Sequence, residues 1–473
     1  MEQPSASFYR PLKIMRIPIP FKDLLPVEAV KQLSQLVAQP ALVAALKDAA
    51  QKLGLKEPLQ PGNIQQILQQ AGRWMESVAE PWLRDAKPGL MPGINATGEL
   101  FSSRWCTHRI CPDAIAQSNY LQSRFAETTK LDSQLRNLLV GLTGAQSVLV
   151  VPNMSIAMYL IALAGNTSPT PTQWVLPRVD CIRLPQAGNA QGGNVRAILD
   201  SAHAPTVEIG TTQDCTSSDF EQQLAQAGSI LLLASPNSLA SESRGEHRRR
   251  GIEASQQADS KVVEIIMDGS IHDLGKLGIP SRVIADSWDK CTKLVVVPGD
   301  ALLGGPECGI LLGTTEAMQG ILKVADSVGW HAGSITKAGL LRTLEASESL
   351  DAWRELPIGV SLSISLENLD NRSQRLATQL AASPMVDRVE VQRKSCRIGA
   401  GVWSGVRMDS TVLKLFPKAS SASALAEQLE VGEIPIWGNV QSDHVELVMR
   451  SVEPDEDRLL VKQLCSEVEP QRG

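Results

Sequence analysis

The chain has 473 residues, 43% of them hydrophobic and 20% charged, with a formal net charge of −6. That length is enough for two or three domains around a large core, and the acidic balance excludes the overall basic surface of a dedicated nucleic-acid binder. Its eight cysteines are scattered without a Cys-x-x-Cys, and Cys106 and Cys111 have no matching second pair, which argues against a zinc site.

The first 20 residues hold prolines at 4, 11, 18 and 20 and read as irregular. No signal-peptide pattern opens the chain and no window of 18 apolar residues occurs, so the expectation is a cytoplasmic protein with reduced thiols. From Asp23 the spacing turns helical: Val27, Val30, Leu33 and Val37 share a stripe, as do Leu42, Leu46, Ala49 and Leu53, with Pro40 between two helices. A third helix is predicted over 63–78, and the Pro/Gly-rich "AKPGLMPGINATG" (86–98) marks a joint. The predicted organisation is a helical N-terminal region over 1–88, a large α/β domain over 89–345 and a small α+β domain over 346–473.

Over 95–345 short apolar runs alternate with helical segments. The runs at 147–151, 174–176, 206–209, 230–234, 262–267, 294–297 and 309–312 read as strands buried on both faces, and 131–142 and 155–164 as helices between them. This alternation predicts a mainly parallel sheet with its ligand site at the carboxyl ends of the strands. The basic run "RGEHRRR" (244–250) reads as a solvated loop or helix start. Past 346 a helix over 366–382 leads to short strands near 389–392 and 412–415. A helix over 421–429, a hairpin turning at Gln441 to His444 and a last helix from about Asp455 complete the small domain.

Six stretches together resemble bacterial selenocysteine synthase, the L-seryl-tRNA(Sec) selenium transferase family of pyridoxal-phosphate enzymes. They are "INATG" (94–98), "LTGAQSVLVVPNMSIAMYLIALA" (142–164), "VEIGTTQ" (207–213), "IIMDGSIHDLGKLGIP" (265–280), "PGDALLGGPECGILLG" (298–313) and "VGEIPIWGNVQSDHVELVMRSVEPDEDRLL" (431–460), in the family's order. The resemblance implies the fold-type-I architecture of the aspartate-aminotransferase class, usually dimers with shared active sites, and it implies pyridoxal phosphate as cofactor.

It also implies three roles. Asn153, Met154 and Ser155 would start the helix that cradles the phosphate, although Ser155 could equally be an ordinary helix cap. Asp268, at a strand end, would face the pyridine nitrogen. The Schiff-base lysine would follow Gly299-Asp300, and there the chain has Ala301, which has no amine. Other polar positions depart with it: "ELFSSRWCTHR" follows "INATG", and Asn439 stands where the family usually has arginine, while Arg450 is kept. His203, His272 and His444 read as structural. The combined expectation is a divergent member that acts by binding or regulation, as a homodimer or larger homo-oligomer. The alternatives are an active transferase or lyase using another lysine, and selenocysteine synthesis on tRNA.

Overall fold

Six runs of Val, Leu and Ile become the parallel strands of one sheet. The computed structural model describes residues 93–465, apart from 103–108, 124–126, 167–171, 187–188, 235–240 and 401–402. The chain divides between Pro92 and Gly93, so the helices predicted over 23–78 lie outside the described residues.

In chain order the first layer runs α1 (Pro112–Ser123), α2 (Thr128–Thr143), β1 (Ser147–Val151), α3 (Met154–Asn166), β2 (Gln173–Pro177), α4 (Val195–Ser201) and β3 (Thr206–Ile209). It continues with α5 (Ser217–Leu224), β4 (Ser229–Ala234), α6 (Ser241–Ala258), β5 (Lys261–Ile265), β6 (Thr292–Pro298), β7 (Gly309–Gly313), α7 (Thr315–Val328) and α8 (Ser334–Glu345). The sheet order is β1-β7-β6-β5-β4-β2-β3, and only β7 runs antiparallel to its neighbours. All seven predicted strands are present. The connection from β6 to β7 (299–308) closes on the paired ends Pro298 and Gly309 and returns the chain antiparallel; a parallel return would need a crossover.

The strands alternate between two apolar layers. Leu149, Val151, Leu294 and Val296 pack with Met158, Ile161, Met318 and Ile321 of α3 and α7. Val148, Val150, Val295 and Val297 pack with Leu135, Leu139, Leu340 and Leu344 of α2 and α8. Burial on both faces is why these strands read as unbroken apolar runs, each fully buried Val or Leu being worth about 1.5–3 kcal/mol. Glu264 interrupts the second face. It is 1% exposed and is held by Arg248 Nε and Nη2 of α6 (2.9 and 2.7 Å), by Thr292 Oγ1 (3.1 Å) and by Arg282. The basic run at 244–250 is therefore not simply solvated. It lies within α6, where Arg248 turns inward to Glu264 and His247 Nε2 meets the fully buried Asp180 at 2.9 Å; Arg249 stays outside, between Glu246 and Glu253.

Two short helices, α9 (Leu350–Arg354) and α10 (Pro357–Ser363), lead into α11 (Leu366–Leu380). Then come β8 (Val386–Arg397), β9 (Arg407–Pro417), α12 (Ala422–Glu430), β10 (Asn439–Val440), β11 (Val445–Val448) and α13 (Asp457–Cys465). The four strands form an antiparallel sheet in the order β8-β9-β11-β10, and Leu413, Leu415, Val445 and Leu447 face the helices. The predicted short strands at 389–392 and 412–415 are the middle of a much longer hairpin. Its flanks carry Arg388, Arg393, Lys394 and Arg407, and such solvent-facing charge hides a strand from a hydrophobicity reading. The hairpin at 441–444 forms as predicted, with Gln441 N–H donating to His444 O (2.9 Å).

The "INATG" segment joins this second layer. Ile94 and Asn95 pair in parallel with Ile436 and Trp437, Gly98 N–H donates to Ser451 Oγ (2.9 Å), and Asn439 Nδ2 donates to Thr97 O (2.8 Å). Further along, Arg109 grips both oxygens of Asp455 (2.9 and 3.0 Å) and comes within 3.9 Å of Glu456. Burial pushes the Glu456 carboxyl up to about 7, against the N–H of Glu453 and the charge of Arg109, from an ordinary 4.5. A raised acid binds its proton more tightly when folded, so its contribution is favourable below about pH 4.5 and is lost as pH rises towards 7. We expect Glu456→Gln to flatten the fall in stability across that window by up to about 3 kcal/mol, read from denaturation midpoints at successive pH values.

Candidate functional site

The six parallel strands end on one edge of the sheet, and β7 begins there. Gly309 at the start of β7 pairs with Val151 on one side and Pro298 on the other. A Cβ on Gly309 would come within 2.7 Å of Asn153 O, so only glycine lets β7 pass this close to the start of α3. The topology thus brings Asn153, Met154 and Ser155, Asp268, Asp300 and Ala301 to the same edge.

At the start of α3, Asn153 is the cap. Its Oδ1 accepts from Ile156 N–H (3.0 Å) and its carbonyl from Ala157 N–H (3.1 Å). The cap predicted at Ser155 is two residues too late; Ser155 Oγ instead lies against Gly193. The Met154 side chain is 3% exposed and belongs to the core, so only its amide can face a ligand. The amides of Met154 and Ser155 open the helix and have no intrahelical acceptor, which makes this edge suited to an anion.

Asp268 follows β5 and is half-buried; its carbonyl accepts from Arg282 N–H (3.0 Å). The Arg282 side chain reaches back to Glu264, and burial pulls its guanidinium below the usual range while the charges of Glu264 and Asp268 oppose that.

The turn after β6 is held from several sides. Gly299 N–H donates to Cys308 O (2.9 Å), Gly305 N–H to Gly299 O (2.9 Å) and Gly304 N–H to Ala301 O (3.1 Å). Gly304 has φ +72°, the left-handed conformation that favours glycine. Trp353 Nε1 of α9 donates to Leu302 O (2.7 Å), with the indole 3% exposed. Ala301 is 5% exposed within the core cluster that also holds Trp353, Leu356 and Ile358. Burial pushes the neighbouring Cys308 thiol up, away from reactivity. Of the lysines closest in sequence to the two site turns, Lys276 is exposed and Lys293 Nζ donates to Lys290 O (2.5 Å).

Arg450 is enclosed by carbonyls. Its Nη1 donates to Ser361 O (2.9 Å), Leu362 O (3.2 Å) and Ile364 O (3.2 Å), and its Nε to Asp409 O (3.0 Å). The histidines weighed as candidates serve the framework: His272 Nε2 contacts Ser347 O (2.7 Å), His444 Nδ1 contacts Asp443 (2.6 Å), and His203 sits in an exposed turn at φ 54°. Trp353, Asp180, His247 and Glu264 were not nominated from the sequence. Only their partners, far away along the chain, distinguish them.

The L-seryl-tRNA selenium transferase (SelA) family model matches residues 114–453. The chain belongs to this family. Among relatives, the L-seryl-tRNA(Sec) selenium transferase of Hyphomonas neptunium is 23% identical over 449 residues, 91% of this chain and 93% of that protein. The enzyme of the same name from Moorella thermoacetica is 24% identical over 419 residues, 84% of this chain and 86% of its own. A solved structure of D-glucosaminate-6-phosphate ammonia-lyase superposes with a TM-score of 0.55 at 15% identity, covering 80% of this chain and 95% of that one. The fold is the fold-type-I architecture of pyridoxal-phosphate enzymes, with SelA-family sequence throughout its matched length. Among the described residues, no helix is long and apolar enough to cross a membrane.

The amides that open α3 suit an anion such as a phosphate. Asp268 is an acid on the same edge, and the residue after Asp300 is an alanine, which carries no amine.

Proposed function

We propose that this protein is a SelA-family member that binds its ligand without a lysine linkage and works by binding or regulation, as a homo-oligomer. The single observation carrying this reading is Ala301, buried in the turn where the family resemblance places the Schiff-base lysine. The ligand, pyridoxal phosphate or a related phosphorylated molecule, is held by the opening amides of α3 and by Asp268. When bound, pyridoxal phosphate supplies an aldehyde and an electron-accepting ring; the chain itself supplies an anion cradle and an acid.

An activity like that named for the relatives, on seryl-tRNA(Sec), would need an amine from elsewhere. Lys276 and Lys293 belong to other connections.

The test is incubation of the full chain with pyridoxal 5′-phosphate, borohydride reduction and peptide mass spectrometry. The expected result is ligand that dialyses away, leaving no pyridoxyl mass on any lysine. A modified lysine would overturn the reading and identify the substitute.

A further inference from the structure

A second feature lies away from the sheet edge. Helices α9, α10 and the start of α11 border an open groove of about 520 Å3, within the size range of small-molecule sites. Its chemistry is zoned. Asp351 of α9 and Glu355 just after it present carboxylates, and Arg354 a guanidinium 3.7 Å from Asp351. Val360 and Ile364 give an apolar floor, and Ser365 and Asn368 polar groups at the start of α11. Both charge signs beside an aliphatic surface match a zwitterion with an apolar side chain.

The helices that line the groove also carry, through residues outside its lining, contacts to the second layer and to the 299–305 turn. Arg450, from the second layer, holds the C-terminal carbonyls of α10 through Ser361, Leu362 and Ile364. At the other end, Leu356 and Ile358 press on Gly304, where a Cβ would meet both at 3.1 Å. Trp353 of α9 donates to Leu302, next to Ala301. A ligand seated between α9 and α11 would touch α9, the helix whose Trp353 holds the turn that carries Ala301.

We propose that this groove is an effector site for a free aliphatic α-amino acid, with its ammonium at Asp351 and Glu355, its carboxylate at Arg354 and its side chain on Val360 and Ile364. The site acts through Trp353 on the 299–305 turn. It stands independently of what binds at the sheet edge, because no residue is shared between them.

The probe is L-leucine, titrated calorimetrically into the full-length protein, with leucinamide and N-acetyl-leucine as single-charge controls. Leucine is expected to bind at millimolar or better affinity, with each control at least about tenfold weaker, as the loss of one paired charge implies. Arg354→Met and Glu355→Gln, both at exposed positions, are expected to weaken leucine about tenfold without moving the melting temperature of the free protein. Leucine is also expected to slow hydrogen exchange in the 299–305 peptide, an effect absent in Trp353→Phe. No heat with leucine at 10-fold above millimolar concentration, or affinity unchanged in Arg354→Met, overturns the site. Binding with unaltered exchange at 299–305 overturns its coupling to the turn. Pyridoxal 5′-phosphate binding, measured in parallel, reports separately on the sheet-edge site.

Discussion

Ala301→Lys is expected to lower the melting temperature of the free protein by about 5 °C or more, and added pyridoxal 5′-phosphate is expected to recover most of that loss. The position is 5% exposed, in a cluster with Trp353, Leu356 and Ile358. An ammonium placed there lacks a partner, and uncompensated buried charge costs about 3–5 kcal/mol. The Trp353 bond to Leu302 and the three hydrogen bonds among Gly299, Ala301, Gly304, Gly305 and Cys308 limit how far the turn can relax to expose it. If the edge still has the form of a cofactor site, the new amine finds the ligand's aldehyde, and linkage to a ligand bound only by the folded state offsets the cost. Borohydride reduction would then mark residue 301. A variant that is destabilised and never modified would mean that the edge has lost more than its amine. A variant of unchanged stability would mean that the side chain escapes to solvent and the turn is looser than its hydrogen bonds imply. Ala301→Met, of similar length but uncharged, separates crowding from charge.

The sheet was legible because its strands are covered on both faces. Apolar runs such as 147–151 and 294–297 leave few alternatives, and their order with the helices gives a largely parallel sheet and its ligand edge. Asp268 and Ala301 were legible only through family resemblance, since an acid at a strand end and an alanine in a Gly-rich turn are locally unremarked. The outer parts of β8 and the first residues of β9 were not legible: most side chains over 387–397, and those of Arg407 and Asp409, face water, and pairing, not apolarity, makes them strands. The inward side of α6 was also hidden. "RGEHRRR" is a solvated pattern on its face, and the acids that draw His247 and Arg248 inward are 67 and 16 residues away along the chain. Burial keeps the Asp180 carboxyl above its ordinary range, with the His247 bond opposing. Such pairing is tertiary, and periodicity carries no trace of it.

Arg450 gives the second large expected effect. Sequence resemblance singles it out as a kept polar residue of the family, which suggests a ligand contact. Its surroundings give it another task. The guanidinium is 6% exposed and spends its donors on four main-chain carbonyls. Three of these lie at the end of α10, where a helix leaves carbonyls without intrahelical donors, and the positive charge suits the negative end of the helix. Burial pulls the guanidinium below its usual range, which is the electrostatic cost of this placement. Arg450→Met is therefore expected to remove about 3–5 kcal/mol of stability, because the buried carbonyls of Ser361 and Leu362 and the part-buried ones of Ile364 and Asp409 lose their donor together. Arg450→Lys, with one short-range charge but no planar fork, is expected to recover less than half. Urea midpoints of the three proteins decide it. If Arg450→Met unfolds at the wild-type midpoint but no longer binds pyridoxal 5′-phosphate, the residue is a ligand contact and the carbonyl cage is incidental. If the midpoint falls and binding at low denaturant persists, Arg450 joins the C-terminal layer to the helices that brace the 299–305 turn.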